Sequence, residues 1–273
     1  MSIGEPIGRD RRPPNKPTED RKLLLAAPYA DTSFLDSDAW RSLRIMGEFV
    51  EGFDNLARLG PAVTIFGSAR TRPDHPNYKA AEALAAKFAD KGITVITGGG
   101  PGIMEAANKG ASEAGGVSVG LGIELPHEQS INDYCNLALN FRYFFVRKTM
   151  FVKYAQGFVI FPGGYGTFDE LFESLTLVQT GKIDHFPVIL WGKKYWEPMV
   201  EWLKDPVAQE GMIARADLNL FRMTDDSDEI VDIIEKSFAA AEAAQEEAEA
   251  SPRGKEPAEA AQEKRRQRHR CPE

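Results

Sequence analysis

The sequence predicts an α/β protein in which helices flank a doubly wound parallel sheet within a single domain. Three observations support this prediction. Short apolar runs alternate with amphipathic helix patterns, two of the runs end in glycine-rich turns, and a further helix pattern begins directly after each of these turns. Such alternation is typical of right-handed βαβ units, the Rossmann-like arrangement that binds ligands at the carboxyl edge of its sheet.

The predicted elements follow one another in chain order. An amphipathic helix at 37–59 precedes the alternation, since Trp40, Leu43 and Met46 begin an apolar series at helical spacing. We expect a loop at 126–136. The predicted strands are 62–66, 93–97, 117–123, 157–161, 186–191 and 217–223, and the predicted helices are 78–90, 103–113, 144–155, 168–178, 195–203 and 227–246.

The composition predicts one domain at 37–247 between two charged ends. Residues 1–25 are proline-bearing and polar, and we expect them to be disordered. The end of the chain, 248–273, is predicted to be a disordered charged tail. Its basic run at 264–270 favours a solvated segment, with contact to nucleic acid or an anionic surface as the alternative.

Charge and cysteine content exclude several protein classes. No apolar run reaches the ~20 residues of a membrane helix, so we expect a soluble, cytoplasmic protein. A net charge of −8 argues against general nucleic-acid binding. Cys135 and Cys271 lie far apart and the histidines have no ligand spacing, so neither a disulfide framework nor a metal site is expected.

The segment 161–170 joins a glycine-rich turn to a carboxylate. Pro162 ends an apolar run, and Gly163, Gly164, Gly166 and Thr167 precede a helix pattern. The first amides of a helix have no intrahelical acceptor and the helix dipole favours an anion there. The turn is therefore predicted to hold a phosphate, with Thr167 capping the helix or donating to the ligand.

A second glycine-rich turn, at 98–102, follows the predicted strand 93–97. Neither turn ends in the Gly-Lys-Ser/Thr of an ATPase P-loop, and Met104 stands near where a dinucleotide fingerprint has its third glycine. Two interpretations stay open for 98–102: a ligand-binding loop, or a turn that lets a helix pack close to the sheet. The turn at 67–70 is expected at the same edge.

Three cations, Arg142, Arg147 and Lys148, stand among aromatic residues at 141–148. The guanidinium fork suits phosphate or carboxylate, whereas the alternative is a surface ion pair beside core aromatics. The glycine turn that follows the next strand favours ligand binding.

These segments resemble the Lonely guy family, phosphoribohydrolases that are often mislabelled as lysine decarboxylases. The family motif P-G-G-x-G-T-x-x-E is matched without departure from Pro162 to Glu170, and the upstream arginine-lysine pair is matched by Arg147 and Lys148. The turns at 67–68 and 98–104 also resemble family positions. The stretch 176–181 is similar to the larger bacterial members.

The resemblance implies hydrolysis of the N-glycosidic bond of a nucleoside 5′-monophosphate, with N6-modified adenine (cytokinin) nucleotides as characteristic substrates. It implies Glu170 as the catalytic carboxylate, because a carboxylate stabilises oxocarbenium-like charge, and Arg147 as its catalytic partner. It further implies a homo-oligomer, at least a dimer. No requirement for a metal or an organic cofactor is visible in the sequence. The substrate-binding residues that the resemblance implies are Lys148, Gly163, Gly164, Tyr165, Gly166, Thr167, Glu128, Thr176, Gly99, Gly100 and Ser68.

Two other functions stay open. The same sheet edge suits a nucleotide- or cofactor-binding carrier without turnover, which needs neither Glu170 nor Arg147. An amino-acid decarboxylase would need pyridoxal phosphate and an imine-forming lysine. Lys148 and Lys153 are available for that role, but nothing around them identifies the rest of such a site.

Overall fold

The computed structural model describes residues 18–24, 38–125, 130–183 and 186–250. In these ranges, seven strands form one sheet. The strands are β1 Ala62–Phe66, β2 Thr94–Thr97, β3 Ser118–Ile123, β4 Leu137–Phe141, β5 Phe158–Ile160, β6 Val188–Trp191 and β7 Phe221–Thr224. Their order across the sheet is β4-β3-β2-β1-β5-β6-β7, and every neighbouring pair is parallel.

Eight α-helices connect and cover the strands in the described ranges. They are α1 Glu19–Leu23, α2 Asp38–Leu56, α3 Pro76–Asp90, α4 Ile103–Glu113, α5 Phe144–Tyr154, α6 Tyr165–Gln179, α7 Lys193–Trp202 and α8 Ser227–Ala250. A π-helical turn, Leu203–Ala208, and a 3-10 helix, Arg215–Asn219, follow α7. No helix of the described residues combines the length and the apolar character that a membrane span requires.

Buried strand residues alternate between two cores, one on each face of the sheet. In β5, Phe158 and Ile160 contribute to the core beneath α2, α5, α6 and α7, whereas Val159 faces α3, α4 and α8. Val63 and Ile65 of β1 face the same side as Val159. Strands covered on both faces are buried at every position, which is why the sequences of β1 and β5 are largely apolar and not alternating, with a buried threonine at Thr64.

The strand order reverses direction at β1. From β1 the chain builds outward through β2, β3 and β4, then returns across the sheet so that β5 pairs with the opposite side of β1. The helices that follow β1 and β5, α3 and α6, therefore lie on opposite faces of the sheet, and a topology of this kind places a ligand crevice at the carboxyl edge. The predicted doubly wound parallel sheet is confirmed, and this topology determines where its ligand crevice lies.

Some predicted elements need correction. The strand β4 was not predicted, and residues 217–219 form part of a 3-10 helix and not of a strand, which begins at Phe221. Within the N-terminal segment predicted to be disordered, residues 19–23 form α1. Residues 248–250, predicted to belong to the disordered tail, are the end of α8, whereas residues 1–17, residue 25 and the tail from 251 onward lie outside the described residues.

Candidate active site

A cleft of about 1070 Å³ opens at the carboxyl edge of the sheet, beyond the paired ends of β1 and β5. The turns after β1, β2, β3 and β5 form its floor, and the first turns of α5, α6 and α7 form its walls. Most of the predicted site residues line it together: Ser68, Gly99, Gly100, Arg147, Gly163, Gly164, Tyr165, Gly166, Thr167 and Glu170.

The turn after β5 presents backbone to the cleft at the start of α6. The amides of Thr167 and Phe168 donate to the carbonyl oxygen of Gly164 at 2.9 and 3.0 Å, so the amides of Tyr165 and Gly166 come before the first intrahelical bonds. A Cβ atom at Gly163 would lie 2.0 Å from Oγ1 of Thr167, so only glycine fits there. This geometry is suited to an anion held by backbone amides.

The turns after β1, β2 and β5 are bound to one another. The amide of Ser68 donates to the carbonyl oxygen of Pro162 at 3.0 Å, and the carbonyl oxygen of Ser68 accepts from the amide of Ile103 at 3.1 Å. Gly102 has φ +71°, and a Cβ atom there would lie 2.3 Å from the Ser68 carbonyl oxygen. The glycine at 102 thus allows α4 to start against the β1 turn, as the packing interpretation of this turn proposed.

One lysine holds the carboxylates of α6 together. Nζ of Lys148 lies 2.9 Å from Oδ2 of Asp169 and 3.3 Å from Oε1 of Glu170, and it also donates to Glu173. Asp169 is 56% exposed at its side chain, whereas Glu170 is 6% exposed and lines the cleft. The helical geometry therefore directs only one of the two neighbouring carboxylates into the site.

Arg147 lies across the cleft from that helix. Its guanidinium carbon is 5.0 Å from the ring centre of Phe144 and 5.5 Å from that of Phe151. Its Nε is buried and has no hydrogen-bond partner among the described residues. Burial lowers the pKa of Arg147 because it disfavours the cation, although the charges of Glu170 and Asp169 oppose this effect. The Nε–H group of this buried cation can therefore donate a hydrogen bond to a ligand in the cleft.

Glu170 is the one carboxylate among the described residues that line the cleft. Burial raises its pKa to about 7, while the positive charges of Lys148 and Arg147 lower it and so limit the rise. A carboxyl group that titrates near neutral pH inside a cleft is suited to general acid-base chemistry or to stabilising a transient positive charge.

Comparison with known proteins adds independent information. The family model described as "possible lysine decarboxylase" matches residues 104–234. The chain is 31% identical, over 63% of its own length and 76% of the relative's, to the probable cytokinin riboside 5′-monophosphate phosphoribohydrolase LOG4 of Oryza sativa subsp. japonica.

The chain belongs to the Lonely guy (LOG) family.

Another LOG relative is the cytokinin riboside 5′-monophosphate phosphoribohydrolase of Mycobacterium marinum, at 29% identity over 58% of this chain and 85% of the relative. Among solved structures, the molybdenum cofactor carrier protein of Chlamydomonas reinhardtii is similar at 22% identity and a TM-score of 0.47, over 66% of this chain and 98% of that one.

Two residues implied by the LOG resemblance, Lys148 and Thr176, do not line the cleft. Lys148, 15% exposed at its side chain, is held by the α6 carboxylates behind Glu170. Thr176 is exposed further along α6, and its hydroxyl donates to the carbonyl oxygen of Phe172 at 2.7 Å. Glu128 lies outside the described residues. Within the described chain, the cleft thus receives the LOG arginine and glutamate but not the lysine or Thr176.

A buried amide network that supports the β2 turn was not predicted. Nδ2 of Asn132 donates to the carbonyl oxygens of Gly99 and Gly100 at 3.1 and 3.2 Å and to Oδ1 of Asn108 at 3.0 Å. Asn108, fully buried in α4, also accepts from the hydroxyl of Thr97. An asparagine within an apolar helix face is a signal that could have identified this network, because buried amides require partners.

Tyr195 is a further cleft residue that sequence reasoning missed. Its hydroxyl donates to the carbonyl oxygen of Gly163 at 2.6 Å. The bond connects the first turn of α7 to the turn before α6, and no motif marks it in the sequence. Together with the network at Asn132, it holds the two glycine turns in place.

Proposed function

We propose that the chain hydrolyses the N-glycosidic bond of nucleoside 5′-monophosphates, with N6-modified adenosine monophosphates as the expected class, and releases the free base and ribose 5-phosphate. The observation that carries this proposal is Glu170. It is a buried carboxyl group with a pKa of about 7 that shares one cleft with Arg147 and with a backbone anion site. The names of the LOG relatives agree with this chemistry.

In this proposal the turn at 163–167 binds the 5′-phosphate. The amides of Tyr165 and Gly166 face an anion at the start of a 15-residue helix, where the helix dipole adds to the attraction. Binding the phosphate there would place the ribose toward the middle of the cleft. Gly99 and Gly100 would form the opposite wall of the nucleotide site.

Glu170 then acts at the anomeric carbon. The bond between this carbon and the base nitrogen breaks with both electrons moving to the base, and positive charge develops on the ribose. The ionised Glu170 carboxylate stabilises that charge and accepts a proton from the water that adds to the anomeric carbon. Arg147 stabilises the negative charge that the departing base gains, and the base then takes up the proton that Glu170 accepted from water, which returns Glu170 to its ionised form.

Lys148 is assigned a supporting role. Its ammonium group binds Glu170 from outside the cleft and favours the ionised carboxylate, which partly offsets the effect of burial on the pKa of Glu170.

The residues do not fit the decarboxylase alternative. No lysine is among the described residues that line the cleft, so no amine is available there to form an imine with pyridoxal phosphate.

The direct test measures ribose 5-phosphate released from AMP and from isopentenyladenosine monophosphate. We expect turnover by the wild type and a loss of at least about 100-fold in kcat for Glu170→Gln and for Arg147→Ala. The ratio of kcat/KM between the two substrates would distinguish a preference for cytokinin nucleotides from general nucleotide salvage.

The matched control is Glu173→Gln. This substitution removes another carboxylate bound to Lys148 but one that does not line the cleft, so kcat should change by less than about threefold. No turnover by the wild type, together with equal binding of AMP by the wild type and Glu170→Gln, would exclude hydrolysis of these substrates and favour the carrier alternative.

We also propose a homo-oligomer, which sedimentation analysis of the full chain would test.

A further inference from the structure

The helix that carries Arg147 begins without a capping side chain of its own. Its N-cap residue is Tyr143, and the Tyr143 side chain makes no capping bond. Carboxylates from two earlier helices bind the amides at this helix start. Glu48 of α2 accepts from the amides of Arg142 and Tyr143, and Oδ2 of Asp20 of α1 accepts from the amide of Phe144 at 3.1 Å. These two carboxylates fix where α5 begins.

A single residue connects Asp20 to the cleft. Phe144, whose amide Asp20 binds, also provides the ring on which the Arg147 guanidinium lies at 5.0 Å. Residues three apart share one face of a helix, and both Phe144 and Arg147 line the cleft. Asp20 is also one of the carboxylates that oppose the effect of burial on the pKa of Arg147.

The short helix α1 is attached to the rest of the domain on both sides of Asp20. Before it, Oε2 of Glu19, which is 13% exposed at its side chain, lies 3.1 Å from Nη1 of Arg44 in α2. After it, Leu23 packs against the hydrophobic core. The carboxylate of Asp20 is therefore held in a defined position against the start of α5.

We propose that Asp20 is a positioning residue for Arg147 that acts through Phe144, so that the segment 18–24 is part of the active site of this chain. Asp20 fixes the backbone of Phe144, and the Phe144 ring in turn fixes the plane of the guanidinium. Catalytic groups lose efficiency when their supporting contacts loosen, even if the fold is retained.

The test uses the ¹⁵N-labelled full chain and the side-chain Nε–Hε signal of Arg147, assigned by its loss in Arg147→Lys. We expect Asp20→Ala to shift or broaden this signal. We expect Asp20→Asn, which keeps an oxygen acceptor for the Phe144 amide, to preserve it. Phe144→Leu keeps the bond to Asp20 but removes the ring, and it should shift the signal as Asp20→Ala does.

The matched control is Asp226→Ala. Asp226 accepts from the amides of Asp228 and Glu229 at the start of α8, so its removal causes the same kind of capping loss in a helix that does not line the cleft. This variant should lower the Tm without moving the Arg147 signal.

The activity measurement rests on the proposed hydrolysis. Asp20→Ala should lower kcat for AMP about fivefold or more while KM changes less than about twofold, and Asp20→Asn should restore most of kcat. An unchanged Arg147 signal in Asp20→Ala or in Phe144→Leu would overturn the proposal. If the wild type does not hydrolyse AMP, the proposed function fails, and the Arg147 signal still decides the role of Asp20.

Discussion

Glu170→Gln is expected to stabilise the fold at alkaline pH while it removes activity. Folding raises the pKa of Glu170 from 4.5 to about 7, chiefly because the side chain is buried. At ~1.4 kcal/mol per pKa unit, ionising this residue in the folded protein costs about 3 kcal/mol. Its burial, at 5% exposure, means that solvent screening does not reduce this figure much.

The direction in which stability changes with pH follows from which state, folded or unfolded, binds the Glu170 proton more tightly. The folded chain keeps the Glu170 proton to a higher pH than the unfolded chain does, so folded-state stability decreases as the pH rises from 4.5 to about 7. Glutamine imitates the protonated form and has no such cost. The free energy of unfolding of Glu170→Gln should therefore equal that of the wild type at the acid end of this window and exceed it by about 3 kcal/mol above it.

Urea unfolding of both proteins at a series of pH values across and above this window measures the difference directly. Glu173→Gln is the control, because it removes a carboxylate from the same lysine at a half-exposed position and should give no stabilisation at alkaline pH. A Glu170→Gln protein that is less stable than the wild type at alkaline pH would refute the reasoning. That result would mean that attraction to Lys148 and Arg147 outweighs the burial of Glu170.

Three further predictions concern the chemistry and the glycine turns. If Glu170 must be ionised, kcat/KM for AMP should rise with pH through an apparent pKa near 7, and Lys148→Met should move this rise to higher pH because it removes a charge that lowers the pKa of Glu170. Gly163→Ala would place a methyl group 2.0 Å from Oγ1 of Thr167, so phosphate binding and kcat/KM should decrease more than about tenfold, as calorimetry and steady-state kinetics would measure. Asn132→Ala removes the side-chain bonds to the carbonyl oxygens of Gly99 and Gly100 and leaves only the backbone amide of residue 132 on Gly99, and a KM for AMP raised about tenfold is expected; an unchanged KM would show that this turn does not contact substrate.

The order of strands and helices could be predicted because central parallel strands are apolar on both faces. The edge strand β4 could not, because Asn140 interrupts its apolar residues and its outer positions are exposed. The strand β7, at the other edge, was placed too early because the preceding 3-10 helix also contains apolar residues. Edge strands carry a weaker sequence signal than central ones, since only one neighbour and one face constrain them.

The glycine turn, Glu170 and Arg147 were predictable because they lie in motifs whose spacing reflects local geometry. The roles of Asn132, Tyr195 and Asp20 depend on hydrogen bonds to residues 24 to 124 positions away in the chain, and no local pattern records such contacts. Lys148 illustrates the opposite case. The motif pairs it with Arg147, but successive helix residues point in different directions, so the lysine contacts the carboxylates behind the cleft.

The placement of Glu170 argues for catalysis over storage of a nucleotide. A cleft that only holds a phosphate gains from amides and cations, and a buried carboxylate beside them weakens both the fold and the binding of an anion. The same carboxylate becomes favourable when positive charge develops on the ribose, which happens only as the glycosidic bond breaks. Groups that disfavour the ground state and stabilise the transition state are what differential binding requires of a catalyst. The buried glutamate at this position therefore supports the proposed hydrolysis over the carrier alternative.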